Sequence, residues 1–142
     1  MDITFAQLAD QANISREGKL NLLGIFDTLH SPKFPTTHPQ MQIVIRFELP
    51  RVELGRSHKI EIHLVDEDGK KLFGIDGNIM VQNPNPRSHM IHSDQIITLN
   101  NLVIPKPGRY EFLILIDGNL VKGKEIRLQV LEIPQPQPAS PF

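Results

Sequence analysis

Apolar and polar residues alternate with a period of two through separate stretches of this chain: Met41, Ile43, Ile45, Phe47 and Leu49; Ile60, Ile62 and Leu64; Tyr110, Phe112, Ile114 and Ile116; and Ile126, Leu128 and Val130. Successive side chains of a strand point to opposite faces, so each stretch reads as a strand with one face in a core and the other in water. A helix would scatter the same set around its axis and bury none of it as a group. The constraint is severe: the chain has to be built from sheets, and those sheets have to cover one another.

The segments between these strands carry turn chemistry. Gly18-Lys19-Leu20-Asn21-Leu22-Leu23-Gly24-Ile25-Phe26-Asp27 is a glycine-punctuated apolar run, preceded by the polar connector Asn13 to Gly18. Upstream, Phe5, Leu8, Ala9 and Ala12 fall at helical spacing, and Thr4 with Gln7 imitates a capping box. The short connector favours instead a strand that forms a hairpin with the Leu20 to Phe26 run. From Leu29 to Gln40 the chain carries Pro32, Pro35 and Pro39, which denies it a helix or a central strand and predicts a crossover from one sheet to the other. Asp66-Glu67-Asp68-Gly69 reads as a tight reversal between the His58–Asp66 strand and one starting at Lys71-Leu72-Phe73, with a further strand from Asn78 to Gln82. A second irregular stretch spans Asn83 to Asp94, and extended structure resumes over Ile96 to Ile104. The last hairpin turns at Asp117-Gly118, and Gly123 between two lysines suggests a bulge.

These signals predict an all-β fold of seven to nine strands, a two-sheet antiparallel β-sandwich of immunoglobulin-like or C2-like kind. A closed barrel is the alternative. The step Pro107-Gly108-Arg109-Tyr110 favours the sandwich, because it delivers a tyrosine at the start of a late strand where its hydroxyl can cap backbone, as in a tyrosine corner. Residues 1–133 form one domain in this reading. Residues 134–142 form a proline-rich tail with an extended bias and little to bury, expected to be disordered.

Composition narrows the function. At 142 residues, folding removes roughly 68–70% of the unfolded chain's surface from water, so a core needs no disulfide, metal or other cofactor. The chain has no cysteine, which excludes thiolate ligands and cysteine nucleophiles. Its net charge is −1 with neither sign gathered in a block, which argues against nucleic acid or an anionic membrane as partner. No stretch approaches the ~20 apolar residues of a membrane span, and the first residues lack the basic and apolar regions of a secretory signal, so a cytoplasmic protein is expected.

The Gly18–Asp27 run, Phe34-Pro35 and His38-Pro39 in the crossover, Val65-Asp66-Glu67-Asp68-Gly69 and Pro107-Gly108-Arg109-Tyr110-Glu111-Phe112 occur in an order that resembles an uncharacterised family of small bacterial proteins. Its members share a Gly-Lys-Leu-Asn opening and a Pro-Gly-x-Tyr ending, and the likeness spans about Phe5 to Val130. The resemblance implies a β-sandwich of unknown function and carries no catalytic or binding residue across. Gln11 departs from the pattern, since such members more often place an aromatic there.

Site candidates are sparse. His89 and His92 stand at i, i+3 with Asp94 nearby, a spacing seen in some metal-ligand pairs, but a metal site needs three or four ligands and a solvated loop accounts for the same residues. His58 and His63 fall on or beside the polar face of one strand, and His30 and His38 flank the crossover. Asp66-Glu67-Asp68-Gly69 lacks the later ligands of a calcium loop. The serines are not framed as Gly-x-Ser-x-Gly, Ser88 and His89 diverge, and no phosphate-binding glycine loop occurs, so a hydrolase or other enzyme is disfavoured. What remains is a protein-interaction or accessory module, using an exposed sheet edge, the loops at one end of the sandwich or the proline tail, with homo-oligomerisation through an edge as one form of it. The alternative, a small-molecule or carbohydrate-binding module, is poorly served by a chain with no tryptophan and one tyrosine.

Overall fold

Met41, Ile43, Ile45, Phe47 and Leu49 are fully buried, as are Leu64, Phe112 and Ile114, so the alternating residues do form the core. The structure is a computed structural model and describes residues 1–82 and 89–134. Its strands in chain order are β1 (Asp2–Ile14), β2 (Leu20–Phe26), β3 (Thr28–Ser31), β4 (Thr36–Pro50), β5 (Ser57–Val65), β6 (Lys71–Met80), β7 (Met90–Ile104), β8 (Gly108–Ile116), β9 (Asn119–Leu120) and β10 (Ile126–Glu132), with a short 3-10 turn at Arg51–Glu53. One sheet runs β2-β1-β4-β7 and the other β3-β10-β8-β5-β6, with β9 beside β8. The fold is a two-sheet β-sandwich, not a closed barrel. Pairing is antiparallel except between β3 and β10, which run parallel.

The N-terminal segment is a strand, hairpinned to β2 as its short connector implies. The crossover is real but shorter than expected. Strand β3 ends at Ser31 in one sheet and β4 begins at Thr36 in the other, so Thr36 to Gln40 belongs to a strand that runs between β1 and β7. Proline at position 39 is tolerated because the β1 ladder along β4 stops at the Ala9–Gln42 pair, leaving that stretch of β4 bonded on one side only. The other departures have similar causes. Strand β6 is continuous where two strands were expected, since Gly74 and Gly77 dilute its apolar pattern without breaking its pairing to β5. Strand β7 begins at Met90, so His92 and Asp94 lie in a strand and not in a loop. Gly123 sits at φ +78 in a turn between β9 and β10 and makes no bulge. Of the irregular stretch expected from Asn83 to Asp94, residues 83–88 lie outside the described residues, as does the tail beyond Pro134.

Two residues in the left-handed region reshape the four-stranded sheet. Asn101 (φ 55) stands opposite Pro39, between the Gln40–Asn100 and His38–Leu102 pairs. Before it the odd residues Ile97 and Leu99 turn inward; after it the even residues Leu102 and Ile104 do, while Val103 is exposed. Gly24 (φ +70) does the same opposite Asp10. Beyond that point the β1–β2 hairpin bends over the outer face of its own sheet: Leu20 and Leu22 reach Thr4, Phe5, Arg46 and His92 across a groove of about 560 Å³, and the Ala12 N–H donates to Gln42 Oε1. The bent arm explains why Ala9 and Val44, which point away from the core, are nonetheless fully buried.

The tyrosine corner is present. Tyr110 is buried and its hydroxyl donates to the Lys106 carbonyl. Burial pushes this phenol above its ordinary pKa, with the nearby Asp66 and Glu67 carboxylates acting in the same direction.

Candidate functional site

The histidines do not converge. His63 pairs with Glu61 at 3.2 Å on the solvent face of β5, His38 lies against Phe26 with ring centroids 6.0 Å apart, and His30 stands opposite Leu131 on β3. His89 is exposed just before β7, and His92 is exposed on its outer face opposite Glu48. Asp94, the third member of the proposed metal trio, is engaged by Arg46 in a two-pronged ion pair, Nε to Oδ1 at 2.7 Å and Nη2 to Oδ2 at 3.0 Å. Among the described residues no group of His, Asp and Glu is arranged to hold a metal ion. The acidic turn after β5 is structural: Asp66 Oδ1 accepts the Asp68 and Lys70 N–H groups, and Glu67 Oε1 accepts the Arg109 N–H at 2.7 Å.

His58, expected on or beside the polar face, lies beside it at an inward position. It has the parity of Ile60 and Ile62 and stands at the end of the inner face, where its Nδ1–H donates to Asp117 Oδ2 at 2.8 Å and its Nε2 lies 3.8 Å from Glu53 Oε2. The Met1 amine reaches the same Glu53 carboxylate at 3.0 and 3.1 Å. This polar plug closes one end of the sandwich. The bond from His58, followed by one from the Lys59 N–H, holds the Asp117 carboxyl below the usual carboxylate range. A lowered native value contributes stability that is present above the unfolded value near ~3.9 and is lost as pH falls through the native one. Asp117→Asn keeps a side chain tolerant of the residue's positive φ (50) and removes the charge. The variant's melting temperature is therefore expected to fall less steeply than the wild type's below about pH 4, as followed by circular dichroism.

The remaining candidate is an edge. Among the described residues, β7 pairs with β4 and has no strand on its other side from Ile91 to Ile104. Exposed edges are ordinarily protected by lysine, proline, bulges or brevity. The other free edges are: β3 has 4 residues, β2 has 7 and bends at Gly24, and β6 carries Lys71, Gly74, Asp76 and Gly77. Strand β7 contains no lysine, arginine, proline or glycine, and its one carboxylate is neutralised by Arg46. Beside it the sandwich is ajar. Ile75 and Ile79 of β6 face Ile97 and Gln95 of β7 across an opening of about 200 Å³, and a second groove of about 350 Å³ lies between Leu72 and Phe73 of β6 and the Thr98–Val103 stretch of β7. The sequence alone implies an exposed edge without fixing which strand supplies it, because Asn83 to Asp94, which includes the start of β7, reads as irregular.

Residues 4–130 match a family of unknown function, DUF6941. The chain belongs to that family. The matched region of the family begins within β1 and ends within β10, so it takes in the bent hairpin, the Tyr110 corner and the β7 edge. Gln11, the departure from the expected family pattern, pairs with Leu23 on the bent arm and is exposed, outside the core. No curated protein matches the chain. No helix among the described residues is long and apolar enough to cross a membrane.

Proposed function

We propose that this domain is a non-catalytic protein-interaction module that accepts an extended partner segment along β7. The observation that supports the reading is the edge of β7, which has no lysine, arginine, proline or glycine and no second strand beside it among the described residues, lying next to the apolar opening onto β6. Strand addition takes affinity from main-chain hydrogen bonds and specificity from pockets that hold alternate side chains, and the edge with its adjoining openings offers both. A protein partner fits the near-zero net charge better than nucleic acid does. The carbohydrate-binding alternative is weakened because Tyr110, Phe47 and Phe112 are buried, while Phe5, Phe26, Phe34 and Phe73 are half-buried, leaving no aromatic platform among the described residues.

A photo-cross-linking residue at exposed Thr98, compared with one at His30 on the far edge of the other sheet, tests the reading. Capture is expected at Thr98 alone, with the adduct mapped to one extended segment of the captured protein. Equal capture at the two positions would overturn it.

A further inference from the structure

We infer that the segment seated on β7 is the β7 strand of a second copy of this chain, joined by a two-fold axis centred on Ile96. The inference rests on the strand-addition reading and adds the identity of the occupant. A two-fold interface presents the same patch twice, so it is admissible only if that patch complements itself. Strand β7 does so. In an antiparallel register centred on Ile96, the outer face places Ile96 against Ile96, Asp94 against Thr98 and His92 against Asn100, while the inner face places Gln95 against Ile97 and Ser93 against Leu99. No like charges meet in this register. A register centred on Asp94 would set two carboxylates opposite each other and is disfavoured.

Charge speaks against a foreign strand selected by its own charges. Proteins that select a charged strand place complementary charge along the receiving edge, whereas the only carboxylate of β7 is already held by Arg46. The reversal of facing at Asn101 limits the regular part of the edge to the residues before it, and the Ile96-centred register uses that part symmetrically. Pairing would merge two four-stranded sheets into one of eight. It would also set inward-facing residues of the incoming strand over Ile75 and Ile79, whose side chains now border the opening.

Light scattering after gel filtration of the full chain reads the proposal directly, and the expected mass is twice the 16.1 kDa of one chain. Ile96→Lys sets two ammonium groups against each other at the axis and should return the mass to that of one chain; Ile96→Glu should do the same with carboxylates. Mixing the two variants should restore the doubled mass, a recovery that unfolded variants could not give. A wild-type chain that stays at single mass at high concentration would overturn the second-copy assignment, as would a doubled mass that survives in Ile96→Lys alone. If the wild type is single yet Thr98 still captures a different protein, strand addition stands and only the identity of the occupant falls. If Thr98 captures nothing, both fall.

Discussion

Phe112→Ala should cost about 3–5 kcal/mol and lower the melting temperature by about 10 °C or more, while Glu111→Ala, one position away, should leave it nearly unchanged. Phe112 is fully buried in the middle of β8, paired to Leu64 of β5 on one side and Ile126 of β10 on the other, so its removal opens a cavity that neither neighbour can collapse to fill. Glu111 lies on the opposite face, across from Val65 and Arg127, where water replaces what the side chain gives up. Thermal unfolding followed by circular dichroism separates the two. Equal losses would mean that β8 presents its other face to the core. Because a domain of this kind has a total stability of about 5–15 kcal/mol, the larger substitution removes a substantial share of it.

The second large effect is expected at Gly24. A Cβ built there would stand 2.4 Å from Asp10 Oδ2, 2.9 Å from Cγ and 3.1 Å from Cβ of the same residue, and the backbone has φ +70. Gly24→Ala therefore carries both the left-handed penalty of about 1–2 kcal/mol and the displacement of Asp10 from its rotamer, about 2–3 kcal/mol together. Gly18 is the control, with φ +83 and no atom within 4 Å of its notional Cβ, so Gly18→Ala should show the backbone penalty alone. Adding Asp10→Ala should recover part of the Gly24 loss and none of the Gly18 loss, as read from urea midpoints. If the two single substitutions cost the same, packing of Asp10 over Gly24 plays no part in bending the arm.

Where the period of two is unbroken, the residues alone locate the structure: Met41 to Leu49, Ile60 to Val65 and Tyr110 to Ile116 all fall on the faces their alternation implies. The reading fails where parity changes within a strand. Pro39 and Asn101 face each other across β4 and β7; the prolines make the Thr36–Gln40 stretch look like crossover loop, although every residue of it but Pro39 is paired to β7. Asn101 is of a residue type that tolerates the left-handed region, but residue type alone does not show that the strand uses that conformation there. The candidate edge was half legible for a related reason. That β7 is extended follows from Ile96 to Ile104, but that its second side is empty is a property of strand order, which is set by how the sheets close and not by any single segment. The inward position of His58 is recognisable only once Asp117 and Glu53 are seen around it.

The parallel pairing of β3 with β10 bears on how the chain reaches this state. Thr28 to Ser31 has no other strand partner among the described residues, and the segment that completes it, Gln129 to Glu132, belongs to β10, the last of the described strands. At a synthesis rate of about 5–20 residues per second, β3 waits some ~5–20 s on the ribosome for its mate, with the intervening chain free to pair in other ways. Contacts this far apart in sequence also slow refolding from the denatured state. The sandwich is in this sense fastened from its far end, and shortening the chain by even the few residues of β10 should leave its early strands synthesised but unable to finish.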